Sequence, residues 1–391
     1  MIIFGPKTTC PYCFGRFYSS DVHFKCDKCK KDIEPPKEIS MKWLSKDSKP
    51  IKKNHRWIIW GDTANCPDCG LDASLMRCPK CKKPVPTEMV KHKSVIISII
   101  GARSSGKTVY ITTLINELKR RGEYLGNIAI SAVNIDDTPT NYTSNRYDEW
   151  YKQLYINSQL PAPTAPGDPR NEIPLIYEIR RKNANPTFLV FYDTAGENFN
   201  NVNNIAAKVQ FLKSSDAIIF LLDTMQISHV QKVLGISTSG GQKFDGIFDN
   251  ILTYFNQSDP KAKKQCFNKS IAFVFSKIDA ILDNEAKFKE TSIANMSMGK
   301  DSYFINGEGV SLAEFESIDN SIKGALKAWD EYNFLNNVDI YFKNAKYFGI
   351  SALGSNPTPN RLAKPVSPYR VLDPLVWLLH EQNFPLPIKQ E

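Results

Sequence analysis

A glycine-rich loop that ends in a lysine and a threonine lies between an apolar run and a predicted helix. Residues 95–108 read V-I-I-S-I-I-G-A-R-S-S-G-K-T, with the spacing Gly101-x-x-x-x-Gly106-Lys107-Thr108. Such a loop presents backbone N–H groups to nucleotide phosphates, while the lysine reaches the β/γ-phosphates and the threonine hydroxyl can bind Mg²⁺. A helix predicted from Thr108 to about Arg121 adds the positive end of its dipole. The segment therefore predicts a nucleoside triphosphate site.

Eight of the nine cysteines lie in the first 81 residues as C-x-x-C pairs. The two-residue spacer lets both thiolates of a pair face one ion, and two pairs complete a tetrahedral sulfur site for Zn²⁺. We predict two structural zinc ribbons, pairing the cysteines in sequence order as Cys10, Cys13, Cys26 and Cys29, then Cys66, Cys69, Cys78 and Cys81. Gly70, and also Gly15, would permit the tight turn that follows a pair.

Other arrangements of the same cysteines remain open. The spacing is also compatible with interleaved pairs, in which each zinc draws on both halves of the segment. Disulfides are the competing chemistry, but a chain without a signal peptide that carries a phosphate-binding loop favours reduced, metal-bound thiols.

Polar residues that suit nucleotide recognition follow three further predicted strands. Asp193-Thr194-Ala195-Gly196-Glu197 follows strand Thr187–Tyr192, and a carboxylate there can hold Mg²⁺ through water. Ser276-Lys277-Ile278-Asp279 ends strand Ile271–Ser276. Asp279 can accept hydrogen bonds from N1–H and N2–H₂ of guanine, a donor pair that adenine lacks. Ser351-Ala352-Leu353 ends strand Tyr347–Ile350, where a backbone N–H could meet the guanine O6.

The four motifs GARSSGKT, DTAGE, SKID and SAL, in this order, resemble those of the Ras-like, TRAFAC-class P-loop GTPases. With the cysteine pairs in front, the chain is similar to bacterial double-GTPase-type proteins of conflict and defence loci. The resemblance implies an α/β fold: a mostly parallel six-stranded sheet with helices on both faces, preceded by two small zinc ribbons. The other predicted strands are Val95–Ile100, Ile173–Arg180 and Ala217–Leu222.

The resemblance also implies a set of site residues. Those expected to bind GTP or GDP are Gly101, Ser104, Ser105, Gly106, Lys107, Thr108, Val109, Asp193, Gly196, Lys277, Asp279, Ser351 and Ala352. Those expected to act in hydrolysis are Lys107, Thr108, Thr164, Gly196 and Glu197. Magnesium is assigned to Thr108, Thr164 and Asp193.

The sequence departs from the family pattern at two of these motifs. Ser276 stands where Asn or Thr is usual, which predicts a weaker tie to the phosphate loop. Glu197 stands where many members carry a water-orienting Gln, and its charge would be repelled by the γ-phosphate, so we expect slow hydrolysis that needs an activating partner. Thr164, in a Pro- and Gly-rich loop, is the expected switch threonine, with Thr138, Thr140 and Thr143 as alternatives.

Charge and composition divide the chain at about residue 94. Residues 1–94 carry 19 Lys and Arg against 10 Asp and Glu, whereas the remainder balances at 31 against 31. A basic segment with Trp43, Trp57 and Trp60 could contact nucleic acid, although a β-hairpin packed on the ribbons is the favoured interpretation. No apolar run approaches the ~18–20 residues that cross a bilayer, and the N-terminus lacks signal-peptide features, so we expect a cytoplasmic protein without membrane contact.

These observations predict the domain organisation and the function. The expected segments are a first ribbon at 1–34, a basic connector at 35–62, a second ribbon at 63–93, and a GTPase domain at 94–391 with an insertion at about 283–343 and a terminal helix at 373–383. The expected function is a GTP-dependent switch whose ribbons recognise a protein partner. The alternatives are a nucleic-acid-binding protein regulated by GTP and a scaffold that binds GTP without hydrolysing it.

Overall fold

A computed structural model of the chain describes residues 7–34, 49–53, 56–60, 62–92, 94–101, 105–133, 142–162, 173–191, 214–236, 249, 252, 267–289, 303–358 and 361–390. The chain divides into two compact units. The first comprises Met1–Ile96, Ser131–Asn145 and Ile173–Val190, and the second comprises Ile97–Ile130, Arg146–Glu172 and Phe191–Glu391.

Short strands and one helical turn make up the cysteine-rich part of the first unit. They are β1 (Lys7–Thr9), β2 (Arg16–Tyr18), β3 (His23–Lys25), β4 (Asp32–Ile33), β5 (Lys49–Lys53), β6 (Arg56–Trp60), β7 (Ala64–Asn65), β8 (Asp72–Ala73), β9 (Leu75–Arg77) and α1 (Thr87–Lys91). Strands β5 and β6 pair antiparallel, as the predicted hairpin requires, while its packing on the ribbons stays a prediction.

Pairing across the cysteine-rich part joins its two halves. Strand β3 pairs antiparallel with β4 on one side and with β9 on the other, so that Phe24 lies opposite Met76. Both side chains are buried in one apolar core that also holds Val22 and Val90. A shared core of this kind places the first two cysteine pairs beside the last two.

A seven-stranded sheet comes next along the chain, with strand order β11-β12-β13-β10-β14-β15-β16. Its elements, in chain order, are β10 (Ser94–Gly101), α2 (Lys107–Arg121), β11 (Ile128–Ala132), α3 (Tyr142–Tyr151), β12 (Leu175–Arg181), β13 (Thr187–Phe191), β14 (Ala217–Asp223), α4 (Ser228–Leu234), β15 (Phe267–Ser276), α5 (Asp279–Leu282), α6 (Leu312–Ala328), α7 (Tyr332–Tyr341), β16 (Phe342–Gly349) and α8 (Asp373–Glu381).

The α/β class is confirmed, and all six predicted strands are present. Strand β10 pairs parallel with β13 and with β14, and β14-β15 and β15-β16 are parallel as well. Strand β11 is a seventh strand at the edge of the sheet that the sequence analysis missed. Its side chains alternate between more buried and exposed positions, so it lacks the continuous apolar run that marked the central strands.

Helices α6 and α7 lie within the range of the predicted insertion, and α8 is the predicted terminal helix. Trp377 of α8 packs against Phe348 of β16, with 5.8 Å between ring centroids. None of the helices in the described ranges is both long and apolar enough to cross a membrane. The domain boundaries at 34/35, 62/63 and 93/94 stay predictions.

Candidate functional site

The predicted phosphate loop joins β10 to α2. Gly101 is the last residue of β10, and a Cβ there would overlap the carbonyl oxygen of Leu221, so the position requires glycine. Gly106 precedes α2 with φ +84°, a left-handed conformation that glycine adopts without strain. The backbone therefore requires glycine at position 101 and favours it at position 106, for two different reasons. Ser104 lies outside the described residues.

Two side chains in the described part of this loop, those of Ser105 and Lys107, are buried. The Lys107 Nζ donates to the carbonyl oxygen of Gly101 at 3.0 Å, so the side chain folds back across the loop. The Ser105 hydroxyl is fully buried and has no hydrogen-bond partner among the described residues. A buried polar atom left in this way fits a loop that is completed by a phosphate ligand. Thr108 and Val109 follow in the first turn of α2.

The end of β15 is tied directly to the phosphate loop. The Ser276 hydroxyl lies 3.1 Å from the carbonyl oxygen of Ser105 and 3.0 Å from that of Leu222. The tie that sequence analysis expected to be weak is therefore made by the serine, although one hydroxyl proton serves two carbonyl oxygens. This contact places the predicted base-reading segment beside the predicted phosphate cradle.

Lys277 adopts a strained backbone conformation and pairs with an acidic side chain. Its φ is +60°, which is uncommon for a non-glycine residue. Its Nζ lies 2.6 Å from Oδ2 of Asp223, the last residue of β14, and Oδ1 of Asp223 accepts from the N–H of Met225. Asp223 was missed by the sequence analysis. It could have been found by the rule that selected Asp193, since it also ends an apolar strand.

Asp279 begins α5 and is only 8% exposed. Burial raises the pKa of its carboxyl above the ordinary value, while a hydrogen bond from the Ser351 side chain acts in the opposite direction. A buried carboxylate with few competing waters is suited to accept hydrogen bonds from a ligand.

The third base-pocket segment begins where β16 ends. Ser351 is buried, and its Oγ accepts from the N–H of Gly354 at 2.8 Å. The carbonyl oxygen of Ala352 lies 3.4 Å from the Thr113 hydroxyl of α2, the helix that begins at the phosphate loop. Lys277, Asp279, Ser351 and Ala352 therefore lie at the same edge of the sheet as the loop.

Other predicted residues lie outside the described residues, namely Thr164, Asp193, Gly196 and Glu197, with the alternatives Thr138 and Thr140. The remaining alternative, Thr143, is buried, and its hydroxyl accepts from the N–H of Ile176 on β12 at 3.3 Å. Roles in switching, magnesium binding and hydrolysis stay predictions.

The eight cysteines of the C-x-x-C pairs form two clusters, and the predicted pairing in sequence order is wrong. One cluster contains Cys10, Cys13, Cys78 and Cys81, and the other contains Cys26, Cys29, Cys66 and Cys69. Pairing of β3 with β9 brings the two halves of the segment together, which produces the interleaved arrangement that spacing alone left open.

Sulfur distances within the clusters fit zinc. Cys10 and Cys81 Sγ lie 3.7 Å apart, as do those of Cys13 and Cys78. In the other cluster, Cys26 and Cys69 Sγ lie 3.6 Å apart. A tetrahedral ion with Zn–S bonds of about 2.3 Å requires sulfurs about 3.8 Å apart. The four thiols of each cluster therefore suit a structural Zn²⁺.

The backbone repeats one turn at every cysteine pair. The first cysteine of each pair accepts at its carbonyl oxygen from the N–H four residues on, which belongs to Phe14, Lys30, Gly70 or Lys82. Each of these four residues has a positive φ. Gly70 thus has the predicted role, but in the first turn the left-handed residue is Phe14 and not Gly15.

Comparison with known proteins identifies similar chains. A family model described as Double-GTPase 2 matches residues 95–321, more than half of the chain. A protein described as putative ESX-1 scaffolding and assembly protein SaeC, from Mycolicibacterium smegmatis, is 27% identical over 329 residues, covering 77% of this chain and 78% of that protein.

Solved structures with a similar arrangement include two GTP-binding proteins. The Arl6 BBS3 small GTPase of Trypanosoma brucei is 11% identical, with 74% of this chain and 98% of that chain covered and a TM-score of 0.30. The Ski7 GTPase-like domain of S. cerevisiae is also 11% identical, with 74% and 50% covered and a TM-score of 0.34. The α/β fold is therefore assigned from the strand order of the sheet and not from these two structures.

Proposed function

The chain belongs to the Double-GTPase 2 family and is a GTP-binding protein, and we propose that it acts as a molecular switch. The switch would bind GTP with Mg²⁺ and hydrolyse it slowly. It would recognise a protein partner through its zinc-binding segment. The contact that carries the nucleotide part is the hydrogen bond between Ser276 and the Ser105 carbonyl. It joins the glycine-rich loop to the strand that ends three residues before Asp279. One nucleotide can then contact both the glycine-rich loop and Asp279.

In this proposal the loop Gly101–Thr108 holds the phosphates. Lys107 is the side chain that would turn from the Gly101 carbonyl to the β/γ-phosphates, and the Ser105 hydroxyl would gain the partner it lacks within the described residues. Magnesium supplies charge neutralisation at the phosphates when it is bound, and Thr108, Asp193 and Thr164 are the residues that would hold it.

In this proposal the guanine base binds at the end of the site opposite the phosphates. Asp279 would accept from N1–H and N2–H₂ of the base, the Lys277 stem would lie along the ring, and the Ala352 N–H would donate to O6. The buried setting of Asp279 supports this role, since a carboxylate with few competing waters discriminates strongly between a base with two donors and one without them.

Hydrolysis is the second part of this proposal. Glu197 would be repelled by the γ-phosphate, so the isolated chain is expected to turn over slowly and to need a partner that positions the attacking water. The relative described as a scaffolding and assembly protein favours a second candidate, in which GTP binding without hydrolysis holds a protein assembly together. The nucleic-acid alternative gains no support from the comparisons.

Calorimetric titration of the full chain with GTP, GDP and ATP in the presence of Mg²⁺ tests the nucleotide part. We expect GTP and GDP to bind and ATP to bind far more weakly, and Lys107→Met to weaken both guanine nucleotides. Equal affinity for ATP and GTP would overturn the proposal. Single-turnover hydrolysis then separates the two candidates, since a slow but measurable rate supports the switch and retained affinity without turnover supports the scaffold.

A further inference from the structure

Three charged side chains, of which Arg370 and Asp373 are buried and Glu314 is partly buried, form a cluster next to the segment that pairs with Ser351. The Arg370 side chain is 3% exposed, and its Nε donates to Oδ2 of Asp373 at 2.7 Å. Its Nη2 pairs with Oε1 of Glu314 at 2.5 Å. Asp373 is the first residue of α8, and Glu314 is in the first turn of the inserted helix α6. One guanidinium therefore joins two helices that are distant in sequence.

The residue before Arg370 holds the base-pocket loop. Tyr369 and Ser351 exchange two backbone hydrogen bonds, of 3.0 Å from the Ser351 N–H and 2.7 Å from the Tyr369 N–H. Arg370 itself has φ +51°, a left-handed conformation that costs about 1 kcal/mol for a non-glycine residue. The surrounding ion pairs fix a backbone turn that the sequence would not adopt by preference.

Ser351 is also close to Asp279, the residue that is expected to bind the guanine base. The Ser351 side chain lies near Asp279, where it counteracts the rise that burial causes in the pKa of that carboxyl, and its Oγ accepts from the Gly354 N–H at 2.8 Å. The path from α6 to the base-pocket loop thus consists of Glu314, Arg370, Tyr369 and Ser351, with an ion pair, a peptide bond or a hydrogen bond at every step.

We propose that Arg370 is a positioning residue for guanine recognition: clamped by Glu314 and Asp373, it holds Tyr369 and thereby the Ser351–Ala352 loop where the Ala352 N–H meets O6 of the base. This inference rests on the proposed function. It makes the inserted helix α6 a part of the base-specificity apparatus, because α6 supplies one of the two carboxylates.

The charges decide which substitution tests this idea. Removing the Arg370 side chain would leave the buried carboxylate of Asp373 and the partly buried one of Glu314 without this cation, which is strongly destabilising and risks unfolding the chain. Glu314→Gln keeps the shape and an acceptor oxygen while removing one charge. Arg370→Lys keeps the charge but loses the planar fork that serves two carboxylates at once.

Two purine analogues separate the O6 contact from the Asp279 contact. In 6-thio-GTP a sulfur, which is a poorer hydrogen-bond acceptor, replaces the oxygen at position 6, whereas N1–H and the 2-amino group remain. In ITP the 2-amino group is missing, whereas O6 remains. For the wild-type chain we expect GTP to bind more tightly than either analogue. In Glu314→Gln and Arg370→Lys, the preference for GTP over 6-thio-GTP should fall about three- to tenfold, the effect of losing one hydrogen bond, while the preference over ITP stays unchanged.

Asp319→Asn is the matched control on the same helix. Asp319 is also buried, pairs with Lys323 at 2.8 Å, and accepts from the N–H of Tyr347 on β16, but it has no contact with the Tyr369–Ser351 pairing in the described residues. We expect this variant to unfold at a lower temperature and to keep both nucleotide preferences. Its thermal shift gives the loss of stability that a structural change on α6 causes by itself.

The outcomes distinguish the inference from the function on which it rests. Loss of the 6-thio-GTP preference in the two variants, with the Asp319→Asn ratios intact, supports the positioning role. Unchanged ratios in Glu314→Gln and Arg370→Lys, with thermal shifts like that of the control, overturn it and leave the proposed function standing. A wild-type chain that shows no guanine preference at all overturns both.

Discussion

At the scale of single residues, the site combines groups that the fold tolerates at a cost. Asp279 is a buried carboxyl whose pKa is raised by burial, and Lys277 has a left-handed backbone. Neither choice favours the folded chain by itself. The burial of Asp279 is compensated if a ligand supplies hydrogen-bond donors, and strained or desolvated groups such as these two are concentrated at binding sites.

Replacing Asp279 by Asn separates folding from binding. A carboxyl whose pKa is raised in the folded state stabilises the fold most at low pH, where it is protonated, and this contribution is lost as the pH rises through its folded pKa. The nucleotide-free Asn variant should therefore gain stability relative to the wild type as the pH is raised above about 4. Thermal unfolding of both proteins across this range measures the difference. A wild type that gains stability over Asn as the pH rises would contradict the burial argument.

Ser276 offers a second test at this scale. Ser276→Ala removes the hydroxyl that bonds to the Ser105 and Leu222 carbonyl oxygens, so we expect a loss of about 1 kcal/mol in the free energy of unfolding and weaker GTP binding. Ser276→Thr retains the hydroxyl and should retain both properties. Denaturant unfolding and calorimetry on the two variants make the comparison. Equal behaviour of Ala and Thr would show that the hydroxyl does not tie the two loops together.

At the scale of elements, the sequence predicted the central strands and the polar motifs at their ends. The apolar runs of β10, β14 and β15 are buried on both faces, and this burial is what makes such strands visible in a sequence. Strand β11 was missed because only alternate side chains are turned away from solvent. The cysteine pairing was wrong because the pairs are nearly identical, and the pairing of β3 with β9, which decides between them, has no local signal.

The loop that follows β16 packs closely against a second chain segment, and a glycine in it tests whether this packing matters for GTP binding. Gly354 has φ +77°, and a Cβ there would overlap the carbonyl oxygen of Ser367, whose N–H donates to Leu353. Gly354→Ala should disturb the pairing of the two chain segments beside Ser351 and weaken GTP binding. Gly307 has φ +81° with open space around it, so Gly307→Ala adds only backbone strain. Calorimetry with GTP on both variants decides, and equal affinities would mean that the loop does not position the base.

At the scale of the whole molecule, the zinc-binding part and the nucleotide-binding part obey different physical constraints. The small cysteine-rich core holds few apolar side chains, and metal coordination supplies the stability that such a core lacks. The seven-stranded sheet has a large core of its own, so its strands did not depend on the metal pairing for their prediction.

Double cysteine variants test the interleaved pairing through zinc content. In the interleaved arrangement Cys10 and Cys78 share one ion, so Cys10→Ser combined with Cys78→Ser should leave one zinc per chain. Pairing in sequence order would damage both sites and leave none. The matched variant, Cys10→Ser combined with Cys26→Ser, should retain no zinc in the interleaved arrangement, because the two cysteines belong to different clusters. Pairing in sequence order would leave it one zinc per chain. Atomic absorption on the purified full-length chains reads the stoichiometry directly.

The central claim is that one guanine nucleotide spans the glycine-rich loop and Asp279, and a change of base preference tests it most directly. Asp279→Asn turns one acceptor oxygen into a donor, which fits the 2-oxo group of xanthine in place of the 2-amino group of guanine. We predict that this variant loses most of its affinity for GTP and gains affinity for xanthosine triphosphate, measured by calorimetry beside the wild type. A variant that still prefers GTP, or that binds both nucleotides as the wild type does, would contradict the account.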